Sequence, residues 1–115
     1  ARAAARAMFV GPCRPDAVFV ANDHMAFAVM DVLRFELGLA VPGDVSVVGF
    51  DDVPPAAWAA YALTTARQRD NLMVERTVEV LLAQIEDGAA DTPPSVIPAP
   101  LVVRGSARVP EGWTT

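Results

Sequence analysis

Lysine is missing altogether from this 115-residue chain: all nine of its cationic side chains are arginine. Cysteine, histidine and tyrosine occur once each, and aromatic residues make up only 7%. Each scarcity removes a class of chemistry. The single Cys13 forbids an internal disulfide and reads as a half-buried small hydrophobe. The single His24 cannot build a zinc site by itself and reads as a surface residue. Serine, histidine and acidic residues are too sparse for a catalytic triad, and no glycine-rich phosphate loop is present. Without lysine, an acidic pair cannot work as a phosphoacceptor site of the receiver type. No apolar run approaches the ~20 residues that span a bilayer, so no membrane contact is expected. Nine cationic against fourteen acidic residues leave a net charge of −5, which argues against nucleic-acid binding by this chain. No metal or cofactor is indicated, and an enzyme is not expected.

A hydrophobic content of 53% is enough for the core of one domain. The most informative stretch is Val45-Ser46-Val47-Val48-Gly49-Phe50-Asp51-Asp52, an apolar run that ends in two carboxylates. Such a run predicts a strand buried on both faces, in an α/β fold with a parallel sheet and helices above and below. Ligands of open α/β sheets bind beyond the carboxyl ends of the strands, and Asp51 stands at such an end.

The remaining elements follow from punctuation and period. Ala1 to Met8 reads as a helix already under way, with Arg2 and Arg6 on one face. No initiator methionine or leader pattern precedes it, so the chain is expected to be a piece of a longer protein. Pro12 to Asp16 is a turn and Ala17–Ala21 a short buried strand. Asn22 or Asp23 caps a helix whose apolar stripe runs through Met25, Ala26, Val29, Met30, Leu33 and Leu37 until Gly38 stops it. Pro42-Gly43-Asp44 turns into the central strand. A short helix over Ala56 to Tyr61 carries Trp58, and Leu63-Thr64-Thr65-Ala66 is β-prone. A long helix starts near Asp70, its expected cap, and ends at Gly88. Ala89 to Pro94 is a polar linker. Val96-Ile97-Pro98 and Leu101 to Arg104 are short extended pieces interrupted by prolines. The tail from Gly105 reads as poorly ordered.

Several candidate residues keep two readings. Asp51 and Asp52 either cap a turn or accept hydrogen bonds from a hydroxylated or amino ligand, each charge-assisted bond being worth ~1.5–3 kcal/mol. Asn22-Asp23 caps its helix, with or without a ligand contact from Asn22. Gln68 faces the crevice or is a solvated turn residue. Trp58 stacks on a sugar or belongs to core or interface. The Met25–Met30–Leu33 stripe is core or a partner surface.

Pro15 to Asp52, "PDAVFVANDHMAFAVMDVLRFELGLAVPGDVSVVGFDD", followed by "LTTARQ" at Leu63–Gln68 and "PLVVRGS" at Pro100–Ser106, resembles the lac-repressor-like (LacI/GalR) regulators of bacterial transcription. Pro normally precedes "LTT" and follows the Gln; Ala62 and Arg69 stand there instead. The resemblance implies a three-layer lobe of the periplasmic-binding-protein-like type I fold. Residues 15–106 would form the C-terminal lobe of the effector-binding domain. Residues 1–14 would end a truncated preceding region, and residues 107–115 would be a tail.

By matching positions, Asp51, Asn22 and Gln68 would contact the effector, a sugar or related metabolite. Met25, Val29, Met30, Leu33 and Trp58 would lie at a homodimer surface. The resemblance implies a cytoplasmic repressor that binds DNA only through an N-terminal domain absent from this chain. The fragment is then expected not to bind DNA and to bind effector weakly. The alternative is a sugar-binding protein of a transport system, which shares the fold. Without its partner lobe, Val96 to Val103 is expected to pair with a neighbouring molecule or to be displaced.

Overall fold

Small and β-branched side chains along Ser46–Asp51 let this strand, β2, take an inner place in a four-stranded sheet. The computed structural model describes residues 1–88 and 93–113; Ala89–Thr92 of the expected linker and the last two residues of the tail lie outside them. The chain divides into two units, Ala1–Arg67 with Pro100–Thr115 and Gln68–Ala99.

The first unit holds α1 (Arg2–Met8), β1 (Ala17–Phe19), α2 (Asp23–Asp31), β2, β3 (Thr64–Arg67) and β4 (Leu101–Val102). Strand order follows chain order. β1, β2 and β3 are parallel, with Phe19 opposite Val48 and Asp51 opposite Arg67. β4 adds an antiparallel edge, so the sheet is mixed rather than purely parallel. Leu101 and Val102 thus pair within their own chain, and the expected displacement of this segment does not occur there.

Helix α2 lies on one face of the sheet. It continues through a π-helical turn, Val32–Glu36, and stops at Gly38, whose φ of +63° suits a residue without Cβ. Val45, Val47 and Leu63 form the core with Ala26, Val29, Met30, Val32 and Leu33 of the helical stripe, and α1 adds Ala5 and the following Phe9. The other face of β2 carries buried Ser46 and half-buried Val48 and Phe50, so the two faces are unequally covered. Ser46, Val48, Thr64, Leu101 and Trp113 line a cavity of about 410 Å³ on that side.

Arg6 forks onto Glu36 with contacts of 2.5 and 2.8 Å, and Arg2 adds a third at 3.4 Å. The expected one-sided pair therefore has a single carboxylate as its target. Hydrogen bonding from Arg6 holds the Glu36 carboxyl at about 2, against an ordinary 4.5.

The chain beyond β4 is not the loose tail expected from its composition. Ser106 is fully buried, accepting from Thr64 N at 2.8 Å and donating to Val47 O at 2.6 Å. Arg108 donates to Asp16 O and, through its backbone, to Ser46 Oγ. Cys13 is exposed, not half-buried. A 3₁₀ turn, Pro54–Ala57, replaces the short helix expected over Ala56 to Tyr61.

The second unit is α3 (Asp70–Asp87) with the segment that follows it. Arg69, not Asp70, takes the cap position, and Asp70 sits in the first turn where the helix dipole favours a carboxylate. Gly88 closes the helix in the left-handed conformation. No α3 residue is buried. Arg76 donates to Ser95 Oγ at 3.0 Å and pairs with Glu79 one turn on.

Candidate functional site

Parallel pairing brings the carboxyl ends of β1, β2 and β3 to one rim of the sheet, where binding crevices of open α/β sheets form. β1 leads through Val20 and Ala21 into Asn22, and β2 ends on the doublet Asp51-Asp52. Both carboxylates of the doublet have positive φ, +132° for Asp51 and +63° for Asp52. Non-glycine residues in such regions cost on the order of 1–3 kcal/mol each and persist only where their surroundings fix them.

Asp52 supplies the fixing. Its side chain is only 6% exposed; Oδ1 accepts from Arg104 Nη2 at 2.7 Å and Oδ2 from Arg67 Nε at 2.6 Å. Burial pushes the Asp52 carboxyl upward, but hydrogen bonds from Arg104 and Arg67 outweigh it and hold the group below the usual carboxylate range. Arg104 is itself anchored, with Nη1 donating to Leu63 O and its backbone N to Thr64 Oγ1. The doublet is therefore divided. Asp52 is a tie between β2, β3 and the strand-like exit at Arg104, while Asp51 stays half-buried at the strand end.

Asn22 is the N-cap of α2: its Oδ1 accepts from Met25 N at 2.9 Å. That bond orients the side chain, whose amide group has two donors suited to a hydroxyl ligand. The neighbouring Asp23 is fully buried and accepts from Thr65 Oγ1 at 2.6 Å and Val53 N at 3.0 Å. Gln68 opens the second unit, in the link between β3 and α3.

The expected dimer surface needs correction. Met30 and Leu33 have no exposed surface and Val29 very little, because the helical stripe packs into this chain's own core. They have nothing to offer a partner. Met25 and Trp58 are 40% and 60% exposed. His24 is exposed and meets the edge of Phe27, which in turn lies 4.3 Å from the Tyr61 ring.

Three residues that hold the rim together, Thr65, Arg67 and Arg104, were missed by sequence reasoning, and a fourth, Asp23, was read only as part of the helix cap. One signal was available. Two adjacent carboxylates on an apolar strand, in a chain without lysine, call for arginines, and "ARQ" and "VVRGS" supply them. Among the described residues no group of three His, Cys, Asp or Glu is placed to hold a metal ion, and no helix is long and apolar enough to cross a membrane.

Residues 1–107 match the model of a periplasmic binding protein-like domain family. The lactose operon repressor of Rhizobium radiobacter is 33% identical over 106 residues, 92% of this chain and 92% of the relative. The ribose operon repressor of Escherichia coli is 35% identical over 104 residues, 90% of this chain but 31% of the relative. Among solved structures, the lac repressor dimer bound to operator and an anti-inducer superimposes with a TM-score of 0.73 at 37% identity, covering 83% of this chain and 32% of that one. The chain thus spans about a third of the length of the latter two.

Proposed function

This chain belongs to the LacI/GalR family of transcriptional regulators, as part of their periplasmic-binding-protein-like effector domain, and from that premise we propose that it is the small-molecule sensor of a bacterial repressor. The effector is a sugar or related metabolite. Asp51 accepts hydrogen bonds from its hydroxyls, Asn22 donates to it, and Gln68 is a further contact. One observation carries the reading: parallel pairing brings Asn22, the residue that caps the helix after β1, and Asp51, the last residue of β2, to the same rim of the sheet.

Binding at this rim acts as coupling between distinct sites. The effector favours one arrangement of the lobes, and that preference is transmitted to a DNA-binding region elsewhere in the regulator. The regulator works in the cytoplasm as a homodimer, for which Met25 and Trp58 offer exposed apolar surface. It performs no catalysis and needs no cofactor. Regulation is preferred to transport because the relatives named above are repressors.

The test is Asp51→Ala in the regulator that carries this lobe. The variant is expected to hold operator as the wild type does and to lose release by effector. A variant that still responded normally would overturn the assignment.

A further inference from the structure

Asp23 is a fully buried carboxylate, and such groups are seldom found without partners. Its two oxygens are divided between two elements, Oδ1 taking the Thr65 hydroxyl of β3 and Oδ2 the backbone amide of Val53, two residues beyond Asp51. The residue itself opens α2 immediately after Asn22. Capping does not explain it, because the cap bond to Met25 N is made by Asn22.

Gly49 shows that the strand is built around this side chain. A Cβ placed on Gly49 would lie 2.4 Å from Asp23 Oδ1 and 3.0 Å from Leu63 Cδ2. Gly49 is also the residue paired with Thr65 in the β2–β3 register. The space left by the missing side chain is where the carboxylate sits.

We infer that Asp23 is a positioning residue of the effector site: from the room left by Gly49 it binds Thr65 and Val53, and so fixes Asn22 relative to Asp51. The inference rests on the effector reading of those two residues and deepens it. A hydroxyl-binding site gains affinity when its polar groups are held in place before the ligand arrives. One carboxylate at the start of α2, tied to β3 and to the loop that leaves β2, does that.

The test uses this chain with amide hydrogen exchange followed by NMR, in the wild type, Asp23→Asn, Thr65→Val and Thr65→Ser. Asp23→Asn and Thr65→Val are expected to speed exchange at Val53 and Met25 by about tenfold more than at Val47 and Leu33, since local opening is separable from global unfolding. Thr65→Ser keeps the hydroxyl and restores protection. Exchange that rises in step at rim and core would show a purely structural role and overturn the inference. A second arm compares Gly49→Ala in the wild type and in Asp23→Ser. The loss of Tm is expected to shrink by roughly half in the second background, as contacting residues are coupled; an equal loss in both would overturn it.

D-Ribose and lactose serve as probes of the site in the same spectra. Weaker binding of either sugar by Asp23→Asn, about tenfold beyond Thr65→Ser, supports the positioning role. Selective loosening of the rim, with sugar binding unaffected by Asp51→Ala, would leave Asp23's fastening role standing and remove the effector role of Asp51.

Discussion

Arg104 Nη2 lies 2.7 Å from Asp52 Oδ1, joining residues 52 positions apart in the chain across the rim of the sheet. With Arg67 on the other oxygen, this contact makes Asp52 a structural tie at the end of β2.

Removing Arg104 leaves a nearly buried carboxylate with a single, more exposed partner. Breaking a buried pair costs about 3 kcal/mol, whereas losing a half-exposed one costs about 1 kcal/mol or less. Arg104→Met is therefore expected to destabilise the chain markedly more than Arg67→Met. Urea denaturation of the two variants measures the difference.

Acid should loosen the fold through carboxyls whose folded-state values lie below their unfolded ones. Such groups stabilise fully above the unfolded value, and the contribution is lost as pH falls through the folded one. For Glu36 the window runs from 4.5 down to about 2, and Asp52 shifts in the same direction. Tm measured against pH is expected to fall across that window, and to fall less steeply in Glu36→Gln. An unchanged slope in that variant would contradict the role of the Arg6–Glu36 fork.

Ser106→Ala strips Thr64 N of its acceptor and Val47 O of a donor, both inside the sheet. A loss of about 1–3 kcal/mol is expected, the cost of stranded buried polar groups. Ser95→Ala, at an exposed bond, is expected to change stability by less than about 0.5 kcal/mol. Chemical denaturation distinguishes them.

Core placement of the α2 stripe gives a further contrast. Met30→Ala is expected to cost about 2–5 kcal/mol as a cavity-forming change, against about 0.5 kcal/mol or less for Met25→Ala. Sedimentation is the complementary readout: of the five residues expected at a dimer surface, Met25 and Trp58 are the ones whose replacement should alter self-association.

Much of the architecture was legible because it depends on short-range pattern. The apolar run before Asp51 named the inner strand, Gly38 and Gly88 marked helix ends, and Asn22 read as a cap because it bonds three residues away. The α2 stripe shows that one face is apolar but not what it faces, so the pattern alone fits core and partner surface equally. The ties at the rim were illegible for a different reason. Asp23 meets Thr65 across 42 positions, and Ser106 meets Val47 across 59. Composition made Gly105 to Arg108 look like loose tail, yet pairing beside β2 and β3 buries its serine. Asp51 itself was placed at the strand end by sequence and stands there, while Asp52 changed from second ligand candidate to anchor.

The most direct measurement sets Asp51→Asn beside Asp52→Asn, recording Tm and the NMR shifts induced by D-ribose and lactose. The effector reading of Asp51 and the structural role of Asp52 predict that Asp51→Asn loses the sugar-induced shifts, whereas Asp52→Asn loses Tm. Undiminished shifts in Asp51→Asn, or an unchanged Tm in Asp52→Asn, would contradict it.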